Sequence, residues 1–450
     1  MSNPSERGTW GSKLGFVLAA SGSAIGLGNI WRFPTMTGQN GGAAFVLIYL
    51  GCVVLIGVPV MIAELAIGRK TRSDPVGAFK ALAPKSWWKA VGVLGVLTGF
   101  MILSAYTVVA GWTVRYIFVA LSGQFSGADQ TAIGNILGDF IADGDSVIFY
   151  QFFFMAATIW IVSGGIQHGI EKATKILMPL MIGLLLLLVA RAVTLPGAQA
   201  GLSFYLTPDF SKIDFGVVRT ALGHAFFTLS LGMGAMITYG SYLAKDDNLV
   251  SSALFVSLAD TGIAFLAGFA IFPALFSVPG LSPAEGPGLI FLVLPNIFNA
   301  IPLGQLFGTA FFFLLALAAM TSTISLLEVV VAYFIDQLGW QRKKAALLIG
   351  SCSFLVGIPS ALSNGSVAGL SGFMDRIFEY FGEISLAVGA LLICIFVGWK
   401  WGIHDAVESI RVGYPSFPQA KLWTFLVRYV CPTAIAVILI TSLITTLTTA

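Results

Sequence analysis

Charge is what this 450-residue chain has least of. It holds 24 Lys and Arg and 21 Asp and Glu, 10% of positions, where a soluble domain has about 25%. So few charges cannot cover a chain of this length in water. The deficit excludes a soluble enzyme, a disordered chain and a nucleic-acid binder, which needs a concentrated basic face. Cysteine is scarce too. Cys52, Cys352, Cys394 and Cys431 fall in apolar stretches without CxxC spacing and read as small hydrophobes, not as a disulfide framework or metal site. Three scattered histidines (His168, His224, His404) without HExxH argue against a membrane enzyme. Strand-length segments of alternating polarity are missing, which removes a β-barrel.

What is there is apolar: 57% of residues, with 51 Gly besides. A bilayer core takes roughly 20 residues of helix per crossing. Eleven apolar runs can be separated: 14–37, 41–68, 88–121, 147–163, 170–193, 215–243, 250–277, 304–335, 343–360, 373–399 and 422–447. They are numbered here as spans 1 to 11. The fold expected is an all-α polytopic membrane protein. With the N-terminus inside, 17 Lys and Arg fall on the cytoplasmic side, four outside (Arg191, Lys212, Arg219, Arg376) and three within spans (Arg32, Arg115, Arg428). That asymmetry favours a cytoplasmic N-terminus and places the C-terminus outside. Residues 1–13 are polar, and the run after them carries Ser21, Ser23, Asn29 and Arg32, unlike a cleaved signal. Outer connections include an acidic loop (Asp129, Asp139, Asp143, Asp145) and the Pro-rich stretch Pro279–Pro302, expected to pack over a cavity.

Two spans are broken at mid-depth. Span 1 contains Gly26-Leu27-Gly28 and span 6 contains Gly232-Met233-Gly234, each flanked by Ser, Thr or Asn. Each opens a block of five spans, 14–193 and 215–399, with residues 1–13 before the first block and span 11 (422–447) after the second. Two glycines in three residues weaken a helix by about 1 kcal/mol each. Backbone groups freed in lipid must face protein, ions or a solvated cavity. Small residues that let helices approach closely explain one such pair. They explain a matched pair poorly. Gly-interrupted segments at corresponding positions of two halves point to a transporter built of inverted repeats.

The string Ala24-Ile25-Gly26-Leu27-Gly28-Asn29-Ile30-Trp31-Arg32-Phe33-Pro34 resembles the span 1 signature of the neurotransmitter:sodium symporter family. Asn40-Gly41-Gly42-Ala43-Ala44-Phe45, Phe226-Phe227-Thr228-Leu229-Ser230-Leu231-Gly232 and Thr321-Ser322 are similar in turn, and the likeness spans the chain. Eleven spans, where the family commonly has twelve, and short outer loops suit its bacterial amino-acid transporter branch. The resemblance implies two sodium sites. The first would use the Ala24 carbonyl, Asn29, Thr228 and Asp260. The second would use carbonyls of Gly22, Ile25 and Ala318 with the hydroxyls of Thr321 and Ser322. Hard oxygen donors suit an alkali cation. Family members often have Asn where Asp260 stands. An ionised Asp would supply the negative charge that chloride gives some relatives, so chloride-independent transport is expected. Asp260-Thr261-Gly262 also matches a protease triplet, but it is single and mid-membrane.

For the substrate, the resemblance implies a carboxylate against the amides of Gly26, Leu27 and Gly28, with the Tyr106 hydroxyl donating to it. The amine would meet carbonyls of Ala24, Phe227 and Thr228, with Ser230 nearby. Ile102, Phe227, Ser230, Met233 and Leu326 would line a mostly apolar side-chain pocket, suited to hydrophobic or aromatic L-amino acids. Arg32 is expected to gate the outer side with Asp375, or else Glu379. Arg7 would pair with Asp336 inside, supported by Trp10 and Tyr242. In span 5, Pro179 removes a ladder donor ten residues after Gly169, so this half either unwinds towards the second sodium site or is simply kinked. The lone ionisable residues Glu328 and His224 leave a second reading, a proton-coupled amino-acid carrier of the same architecture. A plasma-membrane location is expected.

Overall fold

The computed structural model of the protein describes residues 8–278 and 289–449. Among the described residues every regular element is helical, as the hydropathy pattern requires. Among the described residues nine helices are long and apolar enough to cross a bilayer, or ten when Lys13–Ala24 and Gly28–Gln39, bent by 49°, count as one span. The continuous crossings are Ala43–Thr71, Lys89–Leu121, Gly144–Ser163, Ile166–Ala192, Leu249–Phe276, Gly304–Leu338, Arg342–Leu362 and Ala420–Thr441, with span 10 inside Ala368–Arg411. Span 6 differs. It comes as Phe215–Thr228 and Ala235–Gly240, neither long enough to cross alone. The count of eleven therefore rests on this interrupted helix.

Polar caps mark where several helices start. Ser12 Oγ accepts from Gly15 N at span 1, and Asp143 Oδ1 from Ser146 N at span 4. Asp214 Oδ1 accepts from Val217 N at span 6, and Asn248 Oδ1 from Ser251 N at span 7. Each cap satisfies an amide that the first helical turn leaves without a partner.

Spans 3 and 8 pack against each other and are the most enclosed long helices, 72% and 78% buried over their apolar windows. Spans 4 and 5 are 33% and 28% buried. That contrast separates a packed centre from a rim whose apolar side chains, such as Phe149, Phe152 and Trp160, point outward. The spans 1 and 6 breaks lie inside the packed centre.

Two connections differ from expectation. The acidic outer loop contains a helix, Gln130–Ala142, capped by Asp129. Of the stretch Pro279–Pro302, residues 279–288 lie outside the described residues. Beyond them Leu289–Val293 is a π-helical turn that leads into the helix Leu294–Ala300. There Phe291 stacks its ring edge against Trp31 and Trp112, with centroids 6.1 and 5.7 Å apart. The Tyr116 hydroxyl donates to the Phe291 carbonyl at 3.2 Å. This segment covers the Arg32 end of spans 1 and 3.

Candidate functional site

The two breaks meet. Helix Lys13–Ala24 ends at Ile25, whose backbone is extended, and a π-helical turn resumes at Gly28–Arg32. Helix Phe215–Thr228 ends at Leu229, and the chain passes Ser230 at φ +54° and Gly232 at φ +83°. A left-handed Ser costs roughly 1–2 kcal/mol, so surrounding contacts must hold it. They do: Ser230 Oγ donates to the Ser23 carbonyl at 2.9 Å. Gly232 N donates to the buried Glu64 carboxylate at 2.7 Å. A side chain at Gly232 would collide with the Leu386 carbonyl. The unwound segments are thus satisfied by protein.

Between the breaks lies a cavity lined by Ser23, Ala24, Gly26, Gly28, Ile102, Tyr106, Phe227, Thr228, Ser230, Met233, Ser322, Ser325, Leu326 and Leu386. Of the expected substrate residues only Leu27 is absent from the wall. Its amide instead donates to the Tyr106 hydroxyl oxygen at 2.9 Å. The Gly26 amide donates to Asn29 Oδ1 at 2.9 Å. Two of the three amides expected to meet a carboxylate therefore have partners already, which moves that contact towards Tyr106 and Gly28. A Cβ at Gly26 would collide with Ser322 Oγ and lie 2.8 Å from the Tyr106 hydroxyl, so a side chain there displaces these two side-chain ends. The cavity is narrow: only about 30 Å³ of it is open to the centre of a water molecule.

Sequence reasoning missed Ser23, Ser325 and Leu386 in this wall and assigned Ser322 elsewhere. Ser325 lies three residues after Ser322 on the same helix face, a spacing that could have revealed it. Leu386 belongs to span 10 and carried no such signal.

One side of the cavity leads to Asp260 in span 7. Asn29 Nδ2 donates to Asp260 Oδ1 at 2.7 Å, and Thr228 Oγ1 donates to the same oxygen at 2.9 Å. The Tyr49 hydroxyl, which was not anticipated, donates to Oδ2 at 3.2 Å. Asp260 is fully buried, and no Lys or Arg pairs with it among the described residues. Nearby, Thr321 Oγ1 donates to the Ile25 carbonyl at 3.1 Å and the Ala318 carbonyl at 2.9 Å. Ser322 Oγ lies 3.4 Å from the Ser23 carbonyl, and Gly22 packs against Thr321 and Met178. Asn29 and Thr228 are thus gathered on Asp260, and Thr321 on the Ile25 and Ala318 carbonyls. All of their donors are hard oxygens, the type that suits an alkali cation carried as cargo.

At the Arg32 end, Arg32 pairs with Glu383 and lies over the Phe227 ring, 4.8 Å from its centroid. This corrects the expected partners: Asp375 and Glu379 are not bonded to Arg32. Residues Tyr380–Ser385 are π-helical. Glu383 is one turn beyond Glu379 and two beyond Asp375, and the wider turn shifts the face they present. A cavity of about 650 Å³ opens beyond the pair, lined by Arg32, Arg219, His224, Glu379 and Glu383 among others. Phe227 and the ion pair separate it from the central cavity.

At the opposite end, Trp10 Nε1 donates to the Tyr239 carbonyl at 3.1 Å, and its ring lies 6.1 Å from that of Tyr242. Asp336 accepts the Asp74 amide at 2.7 Å. Arg7, its expected partner, lies outside the described residues. Glu328 accepts from the Tyr242 hydroxyl at 2.7 Å and is held by Arg342 at 2.6 and 3.0 Å. Glu328 is therefore not a lone ionisable group. His224 stacks on Phe33 at 5.8 Å, and neither ring nitrogen has a hydrogen-bond partner among the described residues. In span 5 the turn Ile166–Glu171 is π-helical and Pro179 sits inside an unbroken helix. Glu171 accepts from Gly11 N at 2.7 Å and Ser12 Oγ at 3.0 Å, which fastens the start of span 1.

Comparison with known proteins agrees with this geometry. A model described as the sodium:neurotransmitter symporter family matches residues 7–132 and 141–449. The chain is 39% identical to an uncharacterized sodium-dependent transporter, YhdH, of Bacillus subtilis (strain 168), over 95% of this chain and 96% of the relative. It is 27% identical to the sodium- and chloride-dependent GABA transporter 2 of Homo sapiens, over 95% of this chain and 79% of that protein. The crystal structure of MhsT in complex with L-phenylalanine matches with a TM-score of 0.89 at 48% identity, covering 96% of this chain and 99% of that one.

Proposed function

The chain belongs to the sodium:neurotransmitter symporter family, and from that premise we propose that it imports hydrophobic and aromatic L-amino acids with two sodium ions, independently of chloride. Sodium-dependent transport through a multi-pass membrane protein follows from the family.

The observation that carries it is the polarity of the central cavity. Its wall mixes the small or polar residues Ser23, Ala24, Thr228, Ser230 and Ser322 with the apolar Ile102, Phe227, Met233, Leu326 and Leu386. No Lys or Arg lines it. Charged side chains would find no partner there, whereas flexible Met233 repacks around different apolar ones. The substrate carboxylate would be neutralised by the sodium held by the Ala24 carbonyl, Asn29, Thr228 and Asp260. Tyr106, its oxygen accepting from Leu27 N at 2.9 Å, would donate its own proton to the carboxylate. The second ion would bind the Gly22, Ile25 and Ala318 carbonyls with Thr321 and Ser322. Access would alternate between the Arg32–Glu383–Phe227 closure and the end that holds Trp10, Tyr242, Asp336 and Arg7. The N-terminus is cytoplasmic in this reading and the membrane is the plasma membrane. The five-span blocks 14–193 and 215–399 would move against each other as inverted repeats.

The test is uptake of labelled L-leucine and L-phenylalanine into proteoliposomes at equal pH, driven by an inward sodium gradient. Uptake is expected in sodium, lost in choline, and competed by apolar but not charged amino acids. Uptake in choline driven by a proton gradient would instead favour the proton-coupled carrier.

A further inference from the structure

Another cavity, about 670 Å³, lies between spans 3, 4, 5 and 8. It opens on the rim. Phe153, Trp160 and Ile176 in its wall are 56%, 78% and 60% exposed, and such side chains on a membrane-spanning surface face hydrocarbon. Val114, Leu177, Phe313 and Met320 continue the apolar lining. At one end the chemistry changes abruptly to His168 and Lys172. Both are exposed, and neither has an ion-pair partner among the described residues. Among the described residues no carboxylate lines the groove. The adjacent acid, Glu171, is buried and turned away towards Gly11, Ser12 and Lys175.

A groove that is apolar along its length and cationic at its membrane-edge end has the polarity of one kind of ligand. We propose that it seats an acyl chain of an anionic phospholipid, with the phosphate held by Lys172 and His168. Basic pockets between membrane helices bind anionic headgroups for this reason. A zwitterionic headgroup brings its own cation and gains less there.

The place of the groove gives the lipid a consequence. Gly164 and Gly169 form part of the same end, and residues Ile166–Glu171 are the π-helical turn that starts span 5. A phosphate on Lys172 braces that turn. Its last residue, Glu171, holds the Ser12 cap of span 1. The lipid therefore steadies the contact between spans 1 and 5 at the Trp10 end, and its removal loosens that end.

The experiment is native mass spectrometry of the full chain released from vesicles of equimolar phosphatidylcholine and phosphatidylglycerol. The protein is compared with a His168→Gln/Lys172→Gln variant and with Ala157→Trp, which fills the groove without altering charge. The wild type is expected to retain phosphatidylglycerol over phosphatidylcholine by about fivefold or more. The double variant should lose the preference, and Ala157→Trp should lose the bound lipid. Equal retention of both lipids by the wild type, or unchanged retention in both variants, would overturn the proposal.

Discussion

Asn29 and Asp260 are tied twice. The Asn29 amide donates to Asp260 Oδ1 at 2.7 Å and to the Asp260 carbonyl at 2.9 Å. The link fastens the break in span 1 to the middle of span 7, next to Thr228 at the end of the first half of span 6. A carboxylate buried without a basic partner is costly. It becomes favourable when a cation arrives, and the oxygens already gathered around Asp260 are those that such an ion takes.

Replacing Asp260 by Asn keeps the side-chain shape and removes the charge. Sodium affinity should fall at least about tenfold, since one unit of charge a few ångströms from an ion in a partly desolvated site is worth more than 1.4 kcal/mol. Uptake by the wild type should be equal in chloride and gluconate. Uptake by Asp260→Asn should be stimulated by chloride. Sodium titrations of uptake in the two anions check both statements, and chloride stimulation of the wild type would contradict the assigned role.

Leu326 lines the cavity together with Phe227 and Met233, and it is buried. Leu326→Phe should shift selectivity from aromatic to small aliphatic substrates by about tenfold, the range that a methylene or two spans in a tight pocket. Competition curves with phenylalanine and valine measure it directly.

The Glu328–Arg342 pair is a structural prediction. Its carboxylate is fully buried and Arg342 is mostly so. Removing one partner leaves a buried charge alone and costs about 3–5 kcal/mol. Arg342→Met should lower the melting temperature strongly. Arg342→Met with Glu328→Leu should recover most of the loss. If Glu328 relayed a proton instead, Glu328→Gln would abolish coupling while leaving stability near that of the wild type.

Asp74, between spans 2 and 3, gives a pH dependence. Burial pushes its carboxyl above the ordinary value of 3.8, and hydrogen bonds from Gln337, Gly77, Val76 and Ser73 pull part of the way back. The folded state then binds the proton more tightly than the unfolded chain. The stability from this group is present at low pH and is lost as pH rises from 3.8 through the raised folded value. Asp74→Asn keeps an oxygen to accept from the Val76 and Gly77 amides. It should flatten that part of the melting-temperature profile, which thermal unfolding over the acid range would record.

The sequence carried the two breaks because Gly-x-Gly in an otherwise apolar helix is a local signal. It also carried most of the cavity wall, since Ile102, Tyr106, Met233 and Leu326 follow from the likeness to the family. Pairings between distant spans were harder. Arg32 finds Glu383 through a π-helical turn in span 10, and no periodicity in the sequence reports one extra residue per turn. Arg342 reads in the sequence only as one more positive charge at a helix end, and its 14-residue separation from Glu328 crosses a tight helical hairpin. Glu171 holding Ser12 is a contact between elements 159 residues apart, invisible to any local pattern. The short helix Gln130–Ala142 was hidden because its acidic residues read as a solvated loop.

The central claim is that sodium neutralises the substrate carboxylate directly. Linkage makes this measurable, because two ligands that share a contact must raise each other's affinity equally. The decisive measurement is the binding of L-phenylalanine and of L-phenylalaninol, which lacks the carboxylate, to the purified protein over a range of sodium concentrations with chloride absent. The account predicts that phenylalanine affinity rises steeply with sodium, while that of the alcohol is weaker and much less sodium-dependent. An equal sodium dependence for both ligands would contradict it.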